Sequence, residues 1–279
     1  MLNKKYKNTI QLLYLYLSKE DELQPHHDAM NGFIKTLHIE HAKLACKTLE
    51  IQEEKPVLDN ILDIVLTELS EDDPKEMTVR YKGQDRYVRK LKELDFGQNT
   101  PSILNQGVRL KEKGVYLITG GAGGLGLIFA EYLAKEYKAR LVLTGRAKLT
   151  AEREAKLDGF RKLGAEVTYC SADVSNIEDA INLVEECKSL FGEINGIIHS
   201  AGVLRDAYIR NKTPEELDAV FAPKVFGTVN LDKVTKTENL DFFVMFSSMA
   251  AISGTWGKPI ILLPITSWIL LLPCGKTIE

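Results

Sequence analysis

A glycine-rich run stands at the start of a predicted helix. It reads Thr119-Gly120-Gly121-Ala122-Gly123-Gly124-Leu125-Gly126 and directly follows an apolar segment. Glycines at such a junction allow a tight turn and let a pyrophosphate approach the backbone, where free N–H groups and the helix dipole attract its charge. The alternative is a glycine-rich turn that binds no ligand. The run is therefore a candidate phosphate-binding loop, and its interpretation depends on the elements around it.

A second candidate, Arg146, follows the next predicted strand, which ends in Thr144-Gly145-Arg146. In a dinucleotide-binding fold the end of the second strand meets the adenine ribose, where a carboxylate would bind the 2′-hydroxyl of NAD. A guanidinium at that place pairs with a 2′-phosphate instead. The residue thus favours NADPH as cofactor, the alternative being a solvated surface arginine.

The elements that would position these residues alternate between strands and helices from Gly114 onward. This pattern predicts an α/β fold, a Rossmann-like doubly wound parallel sheet built from right-handed βαβ units and incomplete at the C-terminus. The predicted strands are Val115–Thr119, Arg140–Thr144, Glu166–Cys170, Ile194–His199 and Phe242–Phe246. The predicted helices are Leu125–Tyr137, Ala151–Leu163, Ile177–Phe191 and Pro214–Val234.

The residues before Gly114 follow a different pattern. A helix is predicted at Val57–Leu69, and two short alternating runs, Met77–Tyr81 and Arg86–Lys90, flank a hairpin turn at Lys82–Asp85. We therefore expect a smaller domain at residues 1–105 and a linker at about residues 99–113.

The composition is that of an ordinary globular protein, with 44% apolar and 27% charged residues among 279. A net charge of -3 gives no electrostatic reason to expect a nucleic acid or an anionic membrane as partner. The four cysteines have no metal-ligand or redox spacing, and His38 and His41 lack further ligands, so we expect free thiols and no metal site. Without a signal peptide at the start, a cytoplasmic location is predicted.

Three motifs, in chain order, resemble those of the short-chain dehydrogenase/reductase family. The spacing of Gly120, Gly124 and Gly126 is similar to the family's Thr-Gly-x-x-x-Gly-x-Gly. The resemblance implies an adenine contact at Ala172-Asp173-Val174 and a turn against the nicotinamide ribose at Ser200-Ala201-Gly202. Taken singly, Asp173 is equally a helix cap and Ala201-Gly202 a simple turn.

Further segments resemble one branch of that family, the ketoreductase domains of modular type I polyketide synthases. These segments are Phe221–Thr228, Phe246–Ser248, Gly32–Glu40 and Val79–Tyr81, the last two resembling part of the structural subdomain that precedes the catalytic one. The resemblance implies reduction, with NADPH, of a β-ketoacyl group that an acyl carrier protein presents on phosphopantetheine, beside other polyketide synthase domains. It also implies that Ser248 hydrogen-bonds the ketone oxygen, and that Lys224 lowers the pKa of a proton-donating tyrosine. Taken singly, Ser248 is equally a strand-end hydroxyl, and Lys224 a solvated helix residue.

The run Leu204-Arg205-Asp206 resembles the B-type ketoreductases, which implies a D-configured β-hydroxyacyl product. A-type enzymes carry a tryptophan at the position that corresponds here to Ser253. The alternative for Asp206 is a carboxylate that caps the next helix.

The sequence changes character after Gly254. An apolar run of about 15 residues with three prolines is shorter than the ~20 residues of a membrane span, and its prolines oppose a helix or strand. Reading the codons one base out of frame permits the family's Gly-x-x-Gly-Gln-Ala-x-Tyr-x-x-Ala-Asn run. That reading places the tyrosine at Ile261 and the asparagine at Ile265, and no tyrosine follows Tyr208.

We therefore interpret residues 1–105 as a partial structural subdomain, 106–254 as the NADPH-binding catalytic subdomain and 255–279 as an out-of-frame tail. The loss of the tyrosine predicts that catalysis is impaired in this chain. The alternative is a non-catalytic nucleotide-binding remnant or a scaffold fragment of such a synthase. A free-standing sugar or steroid reductase is disfavoured by the partial second subdomain and by the position of Lys224.

Overall fold

The computed structural model describes residues 8–20, 24–71, 73, 76–93 and 110–248. The chain divides into two compact units. The first comprises Met1–Leu94, Leu204–Leu217 and Ser247–Glu279, and the second comprises Asp95–Val203 and Asp218–Phe246. The predicted boundaries at residues 105 and 254 and most of the predicted linker lie outside the described residues, as do Ser253, Ile261 and Ile265.

The first unit contains a four-stranded sheet. Its elements are β1 (Ile10–Ser18), α1 (Pro25–Glu40), β2 (Leu44–Gln52), α2 (Leu58–Ser70), β3 (Thr78–Lys82) and β4 (Asp85–Val88). The strand order is β1-β2-β3-β4, in which the first three strands are parallel and β3 and β4 form an antiparallel hairpin. The hairpin and α2 were predicted from the sequence, whereas β1, α1 and β2 were not.

The turn of that hairpin contains Gly83, whose φ of 60° lies in the left-handed region that glycine adopts without a steric penalty. Glu68 of α2 is buried against the sheet of this unit and receives hydrogen bonds from Lys47, Tyr81 and Arg86. Three donors compensate the cost of burying this carboxylate, so α2 is fixed to the sheet by a charged contact as well as by apolar packing.

The second unit is a five-stranded sheet with helices on both faces. Its elements are β5 (Val115–Thr119), α3 (Gly124–Tyr137), β6 (Arg140–Gly145), α4 (Ala151–Lys162), β7 (Glu166–Ser171), α5 (Ile177–Phe191), β8 (Gly196–His199), the part of α6 (Pro214–Phe221) from Asp218 onward, α7 (Gly227–Val234) and β9 (Phe242–Met245). Every pairing is parallel, and the order is β7-β6-β5-β8-β9. This is the doubly wound order, and the predicted fold class is confirmed.

The sheet is covered on both faces, because β5 is buried at every position and β6 at all but its ends. One core packs α3 and α4 against the sheet through Leu133, Leu143 and Leu157, and the other packs α5 and α7 through Leu183 and Leu231. Such two-sided burial explains why these strands are continuous apolar runs. Among the described residues no helix is both long and apolar enough to cross a bilayer.

The predicted helix Pro214–Val234 has the predicted bounds, but it contains a π-helical turn. A π-helical turn at Ala222–Phe226 separates α6 from α7, and the Gly227 N–H donates to the carbonyl of Ala222 five residues earlier. Pro223 has no N–H to donate, so the regular ladder of α-helical hydrogen bonds cannot continue through it. The turn contains Lys224, one of the predicted catalytic residues.

Candidate cofactor-binding site

The turn after β5 requires glycine at its first position. Gly120 has a φ of 63°, and a Cβ added there would lie 2.8 Å from the Ser200 carbonyl oxygen and 2.9 Å from the Ala201 Cα. A side chain at Gly120 is excluded for two reasons, the positive φ of its backbone and the close contact with the turn after β8. The β5 and β8 turns therefore lie in direct contact.

Two further glycines allow α3 to pack closely on the sheet. A Cβ at Gly121 would lie 2.7 Å from the Ile118 carbonyl oxygen, and a Cβ at Gly126 would lie 2.5 Å from the Gly120 carbonyl oxygen. Both clashes would be with backbone, which cannot move aside cheaply. These two glycines therefore serve the fold.

Gly124 differs from the other glycines of the run. It has an ordinary helical φ, and an added Cβ would meet nothing within 4 Å. It is the first residue of α3, whose N-cap residue Gly123 makes no side-chain capping bond, and whose first turn has no acidic residue. Leu125, the next residue, is 52% exposed. Neither packing among the described residues nor backbone conformation accounts for a glycine here. The free N–H groups of a helix end are groups that can bind an anion.

Arg146 lies in the exposed loop after β6. Its guanidinium makes no ion pair or hydrogen bond with any described residue, while its backbone carbonyl accepts a hydrogen bond of 3.1 Å from the Ser171 hydroxyl. The backbone of Arg146 is therefore fixed by a hydrogen bond, and its guanidinium is accessible to a ligand.

The loop after β7 places Asp173 beside the helix that follows, although Asp173 is not the helix cap. Its Oδ1 accepts from the N–H and the hydroxyl of Ser175, and Asn176 caps α5 by accepting from two backbone N–H groups. Val174 is buried, and its carbonyl accepts from the Asn230 side chain. Asp173 therefore forms an Asx turn within the loop and is not the helix cap that was the alternative interpretation of the sequence.

The turn after β8 is tied to the end of β5. The Ser200 hydroxyl donates to the Thr119 carbonyl at 2.6 Å, and the Ala201 N–H donates to Thr119 Oγ1 at 3.3 Å. These bonds use the Ser200 hydroxyl within the protein. They also hold Ala201 and Gly202 at the carboxyl end of the sheet.

A groove joins the ends of these strands at the point where the strand order reverses, between β5 and β8. Ligands of open α/β sheets bind at such a switch point. Its lining brings together residues predicted from four separate motifs, namely Thr119, Gly120, Arg146, Asp173, Val174, Ala201 and Gly202.

Lys224 lies next to this groove. A Cβ at Gly202 would lie 3.2 Å from Lys224 Cε and 3.5 Å from its Nζ, so the absence of a side chain at Gly202 makes room for the lysine. Burial lowers the pKa of Lys224. The solvated-lysine alternative is thereby excluded, since the side chain is half-buried beside the predicted ribose-binding turn.

Sequence reasoning gave no role of its own to His199, the last residue of β8. It is fully buried, its Nδ1 lies 2.6 Å from Thr119 Oγ1, and its Nε2 lies 2.9 Å from the Pro223 carbonyl oxygen. The imidazole thus connects the end of β5 to the π-helical turn that contains Lys224. A lone histidine at the end of a buried apolar strand was the available signal.

Asp206 and Ser248 both belong to the first unit. Asp206 is exposed and lies two residues before Tyr208. The element that follows is the short 3₁₀ helix Ile209–Asn211, whose N-cap residue is Tyr208. Ser248 is half-buried, three residues after β9.

The fold and groove define a Rossmann-like domain of the short-chain dehydrogenase/reductase type. Residues 114–259 match the family model described as "KR domain". The chain belongs to this family. Residues 1–68 match a second model, "Beta-ketoacyl synthase-like, N-terminal".

Curated relatives and solved structures agree with this assignment. The chain is 36% identical over 250 residues to the polyketide synthase PksN of Bacillus subtilis (strain 168), covering 88% of this chain and 4% of the relative. It is similar, with a TM-score of 0.79 and 38% identity, to an N-terminal ketoreductase from the macrolactin assembly line, over 93% of this chain and 51% of that one. A ketoreductase domain from the bacillaene assembly line also has a TM-score of 0.79, with 33% identity over 92% and 59% of the two chains.

This chain therefore spans a small part of the curated relatives and about half of the solved ketoreductases that it matches.

Proposed function

We propose that this chain is the larger part of a ketoreductase domain that binds NADPH and acts on a β-ketoacyl group carried by an acyl carrier protein. The observation that carries the proposal is the groove at the switch point, with the open Gly124 at one helix end and the available guanidinium of Arg146 at the end of β6.

The residues present fit a phosphorylated dinucleotide. Gly124 leaves space in front of the unpaired N–H groups of α3, which suits a pyrophosphate. Arg146 supplies a positive charge where a 2′-phosphate distinguishes NADPH from NADH. The loops of Asp173 and Val174 and of Ala201 and Gly202 would hold the adenine and the nicotinamide ribose.

When bound, the cofactor supplies a hydride for a ketone carbon. The chain's own contribution is to orient the ketone and to stabilise charge on its oxygen, for which Ser248 would donate a hydrogen bond. Lys224 would favour the ionised form of a neighbouring proton donor by its charge. The half-buried position of its ammonium beside Gly202 strengthens that electrostatic effect, because the local dielectric is low.

We propose that the family's proton donor is missing from this chain. No tyrosine follows Tyr208, and the family match ends at residue 259, before Ile261. Positioned general acids contribute about 10²–10⁴-fold to rate, so we expect reduction by this chain to be slower by about that factor. This absence favours the second candidate function, a nucleotide-binding remnant or scaffold fragment of a synthase.

The proposed partners follow from the relatives, which are multidomain polyketide synthases. A domain within such a protein receives its substrate from a tethered carrier and not from solution. We propose an acyl carrier protein with phosphopantetheine as donor of the β-ketoacyl group, with other synthase domains as neighbours. Asp206, in its Leu-x-Asp run, supports a B-type domain.

Cofactor binding tests the first part of the proposal without requiring turnover. The full chain should bind NADPH at least about tenfold more tightly than NADH, because a paired guanidinium contributes charged hydrogen bonds. Arg146→Ala should remove most of that difference, whereas Arg140→Ala, at the amino end of β6 and away from the groove, should keep it. Equal affinities in the unaltered chain would contradict the assignment of Arg146.

Activity tests the second part. A chain whose residues after Gly254 are read in the restored frame, with the remaining family sequence supplied, should reduce a β-ketoacyl thioester about 10²–10⁴-fold faster than the present chain. Consumption of NADPH by the present chain at a comparable rate would refute the role given to the missing tyrosine.

A further inference from the structure

The edge strand β7 presents two hydroxyl groups toward the loop that contains Arg146. Tyr169 and Ser171 are two residues apart and therefore lie on the same face of the strand. In the parallel register Tyr169 lies opposite Leu143, and Ser171 lies opposite Gly145. Both side chains thus reach the backbone that leaves β6.

These hydroxyls bind successive carbonyl groups of that loop. The Tyr169 hydroxyl donates to the Ala147 carbonyl at 2.6 Å and lies 3.2 Å from the Gly145 carbonyl oxygen, and the Ser171 hydroxyl donates to the Arg146 carbonyl at 3.1 Å. The Ala172 N–H also donates to Gly145. Three consecutive carbonyls, centred on Arg146, are therefore held by one strand.

Gly145 makes this arrangement possible. A Cβ at Gly145 would lie 3.0 Å from the Tyr169 hydroxyl oxygen, which is tighter than ordinary van der Waals contact. The tyrosine hydroxyl thus occupies the space that a side chain would fill. Burial raises the pKa of Tyr169, so its hydroxyl stays protonated and remains a donor at neutral pH.

The guanidinium of Arg146, by contrast, has no partner among the described residues to hold it in place. The position of such a side chain depends on its backbone. A loop that is ordered before the ligand arrives loses less conformational entropy on binding. The resulting gain in affinity applies only to ligands that contact Arg146.

We propose that Tyr169 and Ser171 are positioning residues that set the cofactor preference, because they hold the Arg146 backbone where its side chain can meet a 2′-phosphate. This inference rests on the proposed binding of NADPH. For Tyr169 the inference concerns the hydroxyl and not the ring, since the ring packs against the apolar core beneath α3 and α4.

Tyr169→Phe separates the two contributions, because phenylalanine keeps the ring. Titration of the full chain with NADPH and with NADH, followed by the fluorescence of the reduced nicotinamide, gives both dissociation constants. We expect affinity for NADPH to fall about fivefold, because the variant loses one to two hydrogen bonds to the loop. Affinity for NADH should change less than about twofold. Ser171→Ala should act in the same direction and more weakly.

The matched control is Tyr116→Phe. Tyr116 is another tyrosine of this sheet, and its hydroxyl accepts from the Lys111 N–H at the amino end of β5, away from the groove. This variant should keep the preference for NADPH. Thermal unfolding of all variants reports any general loss of stability.

A double-mutant cycle with Arg146→Ala gives the decisive readout. Adding Tyr169→Phe to Arg146→Ala should change NADPH affinity no further, because the held side chain is already gone. An unaltered chain without any preference for NADPH would overturn the proposed function itself. A normal preference in the unaltered chain that persists in Tyr169→Phe and in Ser171→Ala would overturn this inference alone.

Discussion

The buried His199 predicts how the stability of the second unit depends on pH. The Pro223 carbonyl can only accept, so His199 Nε2 carries the proton and Nδ1 accepts from the Thr119 hydroxyl. Thr119 in turn accepts from the Ala201 N–H. A second proton, on Nδ1, would force the Thr119 hydroxyl to turn its own hydrogen away and would place a charge in the core.

The expected magnitude follows from the pKa of His199, which burial lowers to about 4, the neighbouring charge of Lys224 acting in the same direction. In the unfolded chain an ordinary histidine has a pKa of about 6.5. Between these values the unfolded state binds a proton and the folded state does not, so the free energy of unfolding falls as pH falls from about 6.5 to about 4. From pH 7 to pH 5 the loss from this group is about 2 kcal/mol.

Urea unfolding of the full chain and of His199→Gln, followed by circular dichroism from pH 7 to pH 5, isolates this contribution. Other groups titrate in both proteins, so the difference between the two free energies of unfolding reports the contribution of His199. That difference should shrink by about 2 kcal/mol toward pH 5, because only the unaltered chain loses stability through the imidazole. His26→Gln, which removes an exposed imidazole from α1, is the matched control. A difference that stays constant over this range would refute the reasoning.

Two further predictions concern the glycine-rich run and the product. Gly126→Ala should lower the free energy of unfolding by about 1–3 kcal/mol in urea titrations, because its Cβ would meet backbone. Gly124→Val should change the free energy of unfolding by less than about 1 kcal/mol, because its Cβ would meet nothing within 4 Å. The same variant should abolish NADPH binding in the fluorescence assay. A stable Gly124→Val protein that still binds NADPH would refute the assignment of a phosphate site to the amino end of α3. With the frame restored, chiral chromatography should find mainly the D-configured β-hydroxyacyl product, and mainly the L-alcohol would contradict the B-type assignment of Asp206.

The sequence predicted the second unit well because its strands are buried on both faces and its helices have a clear period. β5 and α5 begin and end as predicted, and β6, β7 and α4 differ by one residue. In the first unit, β1 contains an uninterrupted run of leucine and tyrosine at residues 12–17, and α1 contains His26, His27 and an Asn31-Gly32 pair. Neither has the period that distinguishes helix from strand, and their structure depends on pairing with β2 and packing against it.

The contacts that organise the site were beyond sequence reasoning for a different reason. His199 and Pro223 are 24 residues apart, and Thr119 and Ala201 are 82 apart. No local pattern reports such a pair. Pro223 was visible in the predicted helix, but a proline alone does not distinguish a helix end from a π-helical turn, and the hydrogen bond from His199 to its carbonyl is visible only in three dimensions.

The glycine-rich run shows where motif reading stops. Its spacing correctly predicted a turn between β5 and α3, but the spacing assigns the same meaning to every glycine. In the structure Gly120 serves the turn and its contact with the β8 turn, while Gly121 and Gly126 serve helix packing. Only Gly124 lacks a reason within the protein, and a residue without a structural reason is the one whose substitution can affect a ligand without unfolding the chain. Evidence for a phosphate site therefore comes from this position more than from the motif.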